Sequence, residues 1–476
     1  MEPPRSAHVL IVPYPAQGHM NPMLQFSKRL ISKGLKATLA TTISITSSMH
    51  ASAQPSFPIE TFSDGYDVGG FALAESTGAY LASLQSVGSE TLTALIERLD
   101  RTGCPVDAVI YDGFLPWVLD VAKRLGKLAA VFFTQSCAVN SVYYHVQRGL
   151  LQVPLRADAM VELPGMPPLR PEETPSFVYA YGSYPAFATL IIGQFSNVDR
   201  ADFVLFCSFY ELEAEVVDWI RAKLWPSART VGPTIPSLYL DGRLQHDTDY
   251  GIDLFKPNSA ACMGWLCRKG PGSVVYVSFG SMAELGPVQM AELASALKNS
   301  GYQFLWIVRS TEMPKLPPGF TAETANQGLV MTWCPQLQVL AHEAVGCFVT
   351  HCGWNSVQEA ISLGVPVVAM PQWTDQGTNA KYVEDVWRIG VRARPESGHR
   401  EEDRKDGNII GSNAIERCIK EVMEGERGKE MKRNCLRWRN LAKEAAGEGG
   451  SSDKNIDDFV AQLSSACSVS VPNPKS

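Results

Sequence analysis

The chain has 476 residues and a formal net charge of −7, from 42 basic and 49 acidic side chains. A hydrophobic content of 45% and a charged content of 19% are typical of a globular protein, and the length suits roughly two or three domains. No basic stretch is long enough to follow a nucleic acid backbone, so we expect no nucleic acid partner. No apolar run approaches the roughly 18 residues of a membrane helix, so we also expect no membrane span.

The cysteines show no metal-binding or disulfide pattern. Eleven are scattered along the chain, without a C-x-x-C pair or zinc-finger spacing. Several lie in apolar segments, where a free thiol behaves as a small buried hydrophobe. This usage indicates a reducing compartment, and the early segment HVLIVPYP (8–15) is too short and too strand-like for a signal peptide. The sequence therefore predicts a cytoplasmic location.

Strands and helices alternate along the first half of the chain. The hydrophobic patterns predict strands at 8–15, 36–42, 107–112, 127–133 and 203–209, and helices at 20–32, 115–126 and 211–224. Alternation of this kind predicts a parallel sheet with helices on both faces.

A second series follows a stretch without sustained periodicity. Strands are predicted at 273–280, 302–309, 328–334, 346–353 and 365–370, and helices at 288–299, near 377–388, and at 412–424, 427–446 and 454–466. The fold class is therefore α/β, with two Rossmann-like, doubly wound parallel-sheet domains that we expect to face each other across a cleft. The predicted boundaries are an N-terminal acceptor-binding domain at 1–240, a linker at 241–258, a C-terminal donor-binding domain at 259–450, and a helix and tail at 451–476 that return toward the N-terminal domain.

Two strand ends of the first series carry a candidate catalytic pair. His19 lies in the loop PYPAQGHMNP after the first strand, and Asp112 ends the strand DAVIYD. Taken alone, such a histidine is more often structural. An Asp bonded to one imidazole nitrogen, however, fixes the tautomer and leaves the other nitrogen as a base. No G-x-S-x-G nucleophile motif is present, which argues against a Ser-His-Asp hydrolase.

Residues 333–376 combine strand ends and helix starts with polar and aromatic side chains. Trp333 follows a strand and offers a flat face for a base or a sugar. Asn355 and Ser356 stand where a helix begins, and the free N–H groups there favour an anion. Glu359, one turn into the same helix, can accept hydrogen bonds from a diol.

This 44-residue stretch closely resembles the signature box of plant family 1 UDP-dependent glycosyltransferases, because WCPQ, HCGWNS, the helix Glu and PQWTDQ all fall in register. The stretches FSDGYDVGG and FFTQSCAVNSVYYH also resemble the plant group 74 subfamily, whose acceptors are small acids, phenolics, terpenoids and steroids. The resemblance covers essentially the whole chain. It implies the two-domain GT-B fold and an inverting hexosyltransferase that uses UDP-glucose as co-substrate, works as a monomer and needs neither cofactor nor metal.

The resemblance also implies roles for individual residues. It makes His19 the base that deprotonates the acceptor and Asp112 its partner. The implied donor-binding residues are Gly18, Thr134, Ser281, Trp333, Cys334, Gln336, His351, Gly353, Trp354, Asn355, Ser356, Glu359, Asp375 and Gln376. Among them, Trp333 would stack on uracil, and Gln336 and Glu359 would hold the ribose hydroxyls.

Several features compete with this interpretation. Asp247 and Asp249 match the D-x-D pattern of metal-dependent glycosyltransferases, but they fall in the predicted linker and we interpret them as solvated loop residues. A nicotinamide oxidoreductase would need G-x-G-x-x-G after a strand, which is missing. A non-catalytic nucleotide-sugar or small-molecule binding protein is disfavoured because the pair and the box are intact. Gly377 and Ala16 depart from the commoner residues of the family, which are Pro and Ser.

The acceptor is less well defined by the sequence. The candidate pocket residues are Phe62, Tyr66, Phe114, Tyr144, Tyr181 and Met282, and any of them could equally belong to a core. No basic residue stands out to bind an acceptor carboxylate. We therefore expect a small lipophilic plant metabolite with a hydroxyl group, such as a steroid, terpenoid, phenolic or flavonoid. Glucose-ester formation on a small carboxylic acid is the alternative.

Overall fold

The computed structural model describes residues 6–49, 57–252, 259–395 and 409–469. The chain divides into two compact units. Unit 1 contains residues 1–171, 177–254 and 443–476, and unit 2 contains residues 172–176 and 255–442. The predicted linker was 241–258. Its described part, residues 241–252, belongs to unit 1, and residues 253–258 lie outside the described residues, as do residues 470–476 of the predicted tail.

Unit 1 is a parallel sheet with helices in the connections. Its strands are β1 (His8–Val12), β2 (Lys36–Thr42), β3 (Ile59–Phe62), β4 (Ala108–Asp112), β5 (Leu128–Phe133), β6 (Phe203–Phe206) and β7 (Arg229–Thr230). Its helices up to that point are α1 (Gln17–Ser32), α2 (Ile43–Ser48), α3 (Thr77–Arg101), α4 (Pro116–Arg124), α5 (Cys137–Gln147), α6 (Ser176–Tyr179, whose first residue belongs to unit 2), α7 (Pro185–Gly193) and α8 (Ala214–Lys223).

The seven described strands of unit 1 have the order β3-β2-β1-β4-β5-β6-β7, and each strand pairs with its neighbours in parallel. β1 and β4 are buried along their whole length, which explains their near-continuous apolar sequences. The order makes β1, β4 and β5 neighbours. Their carboxyl ends therefore meet at one edge of the sheet.

Unit 2 is built in the same way. Its strands are β8 (Val274–Ser278), β9 (Gln303–Ile307), β10 (Gly328–Met331), β11 (Val345–Thr350), β12 (Val367–Ala369) and β13 (Gly390–Arg392), in the parallel order β10-β9-β8-β11-β12-β13. Its helices are α9 (Ser259–Leu266), α10 (Pro287–Ser300), α11 (Phe320–Glu323), α12 (Gln336–Leu340), α13 (Trp354–Leu363), α14 (Gln376–Lys381), α15 (Ser412–Glu424) and α16 (Glu426–Ala446, whose last four residues belong to unit 1), with a π-helical turn at Tyr382–Val386.

The last helix, α17 (Ser451–Val469), belongs to unit 1. Phe459 is fully buried, with its ring centroid 4.9 Å from that of Phe203 and 6.0 Å from that of Phe26. Burying a phenylalanine side chain contributes about 1.5–3 kcal/mol, so α17 adds to the core of this unit. Lys33, the residue that follows α1, forms an ion pair of 2.8 Å with Asp453 on α17.

The sequence prediction located the strands around the site but missed other elements. β3, α3, α5 and α7 were not predicted, and the predicted strands generally extended past the true ends. Our interpretation of Asp247 as a solvated residue is wrong: it is 6% exposed and its carboxylate lies 2.6 Å from Lys28 Nζ. No helix in the described ranges has both the length and the apolar character required to cross a bilayer.

Candidate active site

The predicted catalytic pair is in hydrogen-bond contact. His19 lies on α1, which follows β1, and Asp112 is the last residue of the neighbouring strand β4. His19 Nδ1 lies 2.8 Å from Asp112 Oδ2. Asp112 is fully buried, and its other oxygen accepts the backbone N–H of Phe114 at 2.9 Å.

This arrangement assigns the tautomer of His19. An ionised carboxylate only accepts hydrogen bonds, so Nδ1 carries the proton and Nε2 has the lone pair of a base. Thr134, directly after β5, places its hydroxyl oxygen 3.0 Å from the same Nδ1. We expected Thr134 among the donor-binding residues; in this structure its hydroxyl contacts the imidazole. Gly18 immediately precedes His19 in the first turn of α1.

Aromatic rings surround the imidazole. The His19 ring centroid is 4.6 Å from that of Phe114 and 5.2 Å from that of Tyr14. Burial and the nearby Asp112 charge raise the pKa of Tyr14, so its phenol remains neutral. Tyr14 was not predicted from the sequence. Its position two residues after β1, at the same sheet edge as His19, was the available signal.

The other predicted acceptor residues are dispersed. Phe62 is 3% exposed, and its ring lies near Gly88. The Tyr66 hydroxyl donates to Glu75, and Tyr144 packs edge-on against Phe195 and Trp225. The side chains of Tyr181 and Met282 are both exposed.

Gln194, which no sequence pattern indicated, lies beside Gly113, the residue that follows Asp112. It is 3% exposed, and a Cβ on Gly113 would lie 2.9 Å from its amide oxygen. Within the described part of the chain, its buried Nε2 has no hydrogen-bond partner. A buried amide without a partner costs about 1–3 kcal/mol, which a bound polar group could offset.

In unit 2, Gln336 and Glu359 form a connected polar group. Gln336 Nε2 donates to Glu359 Oε2 at 2.6 Å and to Ser356 Oγ at 2.9 Å. The hydroxyl of the fully buried Tyr276 donates to Gln336 Oε1 at 3.0 Å, which fixes the orientation of the amide. Cys334 lies in the same group, 3.3 Å from the Tyr276 hydroxyl, and burial raises the pKa of its thiol well above the ordinary value. The Cys334 thiol is therefore neutral at pH 7. Trp333, directly before it, is half-buried.

The His351 imidazole lies in close contact with the backbone of two glycines, Gly280 and Gly353. A Cβ on Gly353 would lie 2.5 Å from His351 Nε2, and a Cβ on Gly280 would lie 2.8 Å from His351 Cε1. Desolvation lowers the pKa of His351 to about 4, although a backbone contact with Ser278 opposes the shift. The imidazole is therefore neutral at pH 7 and offers one N–H donor.

The start of α13 adjoins this imidazole. Gly353 is the N-cap of α13 and provides no side-chain cap to the first turn, which contains Trp354, Asn355 and Ser356. The turn with Ser281 is fixed by Arg309, which donates to the carbonyl oxygens of Ser281 and Ala283 at 2.6 Å each. No sequence pattern indicated Arg309.

Asp375 and Gln376 follow β12 and are both buried. Asp375 Oδ2 accepts Asn379 Nδ2 at 2.7 Å, and Gln376 Oε1 accepts the backbone N–H groups of Gln372 and Trp373 at 2.8 and 3.1 Å. Because both partners of Gln376 Oε1 are donors, the amide orientation is determined and its NH₂ points away from them. Trp354 is 4% exposed and packs near Trp387.

Asp247 and Asp249 lie in unit 1. Across the described ranges, no three His, Cys, Asp or Glu side chains gather closely enough to hold a metal ion.

Comparison with known proteins agrees with the geometry. The family model described as UDP-glucoronosyl and UDP-glucosyl transferase matches residues 243–432, and a glycosyltransferase N-terminal domain model matches residues 5–55. The chain is 49% identical to UDP-glycosyltransferase 74F2 of Arabidopsis thaliana, over 97% of this chain and 99% of that protein. It is 47% identical to the flavonol 7-O-beta-glucosyltransferase UGT74F1 of the same plant, over 96% and 98%.

A solved structure shows the same fold. Os79 from O. sativa, in complex with UDP, superposes with a TM-score of 0.88 at 41% identity, covering 96% of this chain and 100% of that one. The predicted two-domain GT-B fold of parallel-sheet α/β domains is thereby confirmed. The chain belongs to the plant UDP-glycosyltransferases and is similar to their group 74 members.

Proposed function

We propose that this chain is an inverting, UDP-glucose-dependent glucosyltransferase that adds β-glucose to a hydroxyl group of a small lipophilic metabolite. The observation that carries the proposal is the contact of His19 Nδ1 with the fully buried Asp112 carboxylate, in a chain of this family. Relatives named as glucosyltransferases, among them the flavonol 7-O-beta-glucosyltransferase, support glucose as the sugar.

The proposed reaction is a single displacement. His19 Nε2 takes the proton of the acceptor hydroxyl while its oxygen attacks the anomeric carbon of UDP-glucose. The bond from that carbon to the diphosphate oxygen breaks on the opposite face, and UDP leaves with the electron pair. An α-linked donor thus gives a β-linked product. Asp112 stabilises the imidazolium that forms, and general base catalysis contributes roughly 10²–10⁴-fold.

The donor is proposed to bind along unit 2. Uracil stacks on Trp333, worth about 1–3 kcal/mol for a base on an aromatic ring. The ribose hydroxyls bind the joined Gln336 and Glu359 side chains. The diphosphate takes the N–H groups at the start of α13, with Ser281, His351 and Asn355. The sugar contacts Trp354, Asp375 and the NH₂ group of Gln376.

We propose that the reaction needs no metal ion. His351 is a neutral donor at pH 7 and lies beside the start of α13, so the proposal has the leaving diphosphate stabilised by hydrogen bonds and by the helix dipole.

A chemical argument and one structural observation favour a neutral hydroxyl acceptor. A hydroxyl group needs a base before it can attack, whereas a carboxylic acid is already ionised at pH 7 and does not. The His19 neighbourhood supplies the base, two aromatic rings and the buried charge of Asp112, which would repel an acceptor carboxylate. The amide of Gln194 is proposed to orient a polar group of the acceptor.

The test is transfer by the full-length chain from UDP-glucose, UDP-galactose or UDP-glucuronate at equal concentration. The acceptors are a flavonol, a hydroxylated steroid, a triterpenoid alcohol and a benzoic acid, and products are identified by mass and by alkaline treatment. We expect a gain of one hexose from UDP-glucose and alkali-stable products. Preference for another donor, or mainly alkali-labile esters, would overturn the corresponding part of the proposal.

A further inference from the structure

Residues 172–176 belong to unit 2, although the residues on either side of them in sequence belong to unit 1. This segment lies against the stretch that carries Asp375 and Gln376. A Cβ on Gly377 would come within 3.0 Å of the Glu172 carbonyl oxygen and 3.3 Å of the Thr174 carbonyl oxygen. A glycine at 377 therefore lets the segment approach the start of α14 closely.

Two hydrogen bonds join Ser176 to Thr374. The Thr374 backbone N–H donates to Ser176 Oγ at 2.7 Å, and the Ser176 backbone N–H donates to the Thr374 carbonyl oxygen at 2.8 Å. Thr374 has a φ of +56°, which is rare for a β-branched residue. Conformations of this kind persist where the surrounding structure enforces them, and the paired bonds from Ser176 do so.

The backbone at Thr374 controls the side chain of Asp375. The Thr374 hydroxyl hydrogen-bonds to Asp375 Oδ1, and Asn379 holds Oδ2. Gln376 depends on the same turn, because its amide oxygen accepts the N–H groups of Gln372 and Trp373. A shift of the 373–375 backbone would therefore move both side chains proposed to contact the sugar.

Glu173 fixes the other end of the segment. It is fully buried, its carboxylate lies 3.3 Å from Lys381 Nζ, and its carbonyl oxygen accepts the Thr378 hydroxyl at 2.8 Å. Lys381 also pairs with Asp385 at 2.7 Å. The segment is thus attached to α14 by a charge pair and to the preceding turn by Ser176.

We infer that Ser176 is a positioning residue for the donor sugar, acting through Thr374 on Asp375 and Gln376. The inference rests on the proposed function, since it assumes that Asp375 and Gln376 contact the sugar of UDP-glucose. It predicts that replacing Ser176 changes the affinity for UDP-glucose and leaves the affinity for UDP unchanged.

The experiment compares Ser176→Ala with wild type for two dissociation constants, those of UDP and of UDP-glucose, measured by calorimetry without acceptor. Loss of one hydrogen bond should weaken UDP-glucose binding about fivefold. The dissociation constant of UDP should change less than about twofold. Transfer from UDP-glucose should also lose part of its preference over UDP-galactose. The control is Ser183→Ala, an exposed serine of unit 1 that should change none of these values.

A second variant tests the same positioning from the opposite side. Gly377→Ala adds a methyl group against the 172–174 backbone and removes no hydrogen-bonding group. Its control is Gly264→Ala, at another helical glycine with nothing within 4 Å of the added Cβ. We expect Gly377→Ala to weaken UDP-glucose binding while UDP binding persists. If Ser176→Ala does not fold, Gly377→Ala alone tests whether this segment positions Asp375 and Gln376 for the sugar.

Two outcomes would overturn the inference: equal weakening of UDP and UDP-glucose binding, or unchanged UDP-glucose binding in both variants. The wild-type donor panel is measured first, so that the two proposals fail separately. A wild type that prefers another UDP-sugar contradicts the glucose proposal, and Ser176 is then tested on that sugar. A wild type that transfers glucose but binds UDP and every UDP-sugar with equal affinity contradicts the inference about Ser176 alone.

Discussion

His19 and Asp112 are 93 residues apart in sequence, and a hydrogen bond of 2.8 Å joins them. Because the carboxylate is fully buried, its negative charge is stabilised by hydrogen bonds from the Phe114 N–H and from the imidazole. The carboxylate therefore holds the imidazole in the tautomer with the proton on Nδ1, and that N–H in turn stabilises the negative charge of the carboxylate.

Asp112→Asn should lower kcat/KM by about 100-fold with a hydroxyl acceptor. The amide can present N–H to Nδ1, which favours the tautomer with the proton on Nε2 and removes the base. The measurement is steady-state transfer together with the dissociation constant of UDP, which should not change. Asp120→Asn, at an exposed ion pair with Arg200, is the matched control. Near-normal turnover of a folded Asp112→Asn protein would argue against the pairing.

Gly353→Ala should weaken UDP binding at least about tenfold. The backbone at Gly353 has φ −59° and ψ 144°, which alanine adopts freely, so the effect comes from the Cβ that would lie 2.5 Å from His351 Nε2. Gly286→Ala is a close control, because that residue is also a helix N-cap, with φ −65° and ψ 156°, and has open space around it. Equal UDP affinity in both variants would contradict the proposed diphosphate site.

The neutral state of His351 predicts a pH dependence of stability. Its pKa is about 4 in the folded protein and about 6.5 in the unfolded chain, so the unfolded state binds more protons between these values. Above about pH 6.5 this group does not lower the free energy of unfolding, and between about pH 6.5 and 4 it lowers that free energy as the pH falls. Between pH 7 and pH 5 the loss is on the order of 2 kcal/mol.

Urea unfolding of wild type and His351→Asn at pH 7 and pH 5 measures that loss. The wild type should lose more stability than the variant over this interval. A difference between the two proteins that is independent of pH would show that His351 is not desolvated as described.

Transfer should continue in excess EDTA, because the proposed diphosphate site uses a helix start, His351 and Ser281 and contains no carboxylate pair. Asp247 is proposed to have a structural role through its 2.6 Å contact with Lys28. Asp247→Asn should accordingly lower the free energy of unfolding and leave EDTA resistance unchanged. Abolition of activity by EDTA and its recovery with Mn²⁺ would overturn this expectation.

The part of the site that follows from strand order could be predicted from the sequence. β1, β4 and β11 are continuous buried apolar segments, so their ends, and with them His19, Asp112 and His351, could be located by pattern alone. The helix that begins at Trp354 was predicted within one residue, because its apolar spacing and the closing Gly364, with a φ of +76°, are clear signals.

Contacts made by loops and by long-range packing could not be predicted. Ser176 and Thr374 are 198 residues apart, and no local pattern relates a serine near the middle of the chain to a strained threonine in the donor box. Thr134 and Tyr14 were missed as neighbours of His19 for a related reason. Side-chain direction just beyond a strand end depends on tertiary packing, which periodicity does not report.

The most direct test of the account is transfer of glucose from UDP-glucose to a hydroxyl acceptor by wild type and by His19→Ala, followed by product mass, with UDP affinity measured on both proteins. His246→Asn is the control, at an exposed histidine with a φ of +66° that asparagine tolerates. We predict that the wild type and the control form the hexoside, and that His19→Ala binds UDP normally and is at least about 100-fold slower. A folded His19→Ala protein that forms the hexoside at close to the wild-type rate would contradict the account.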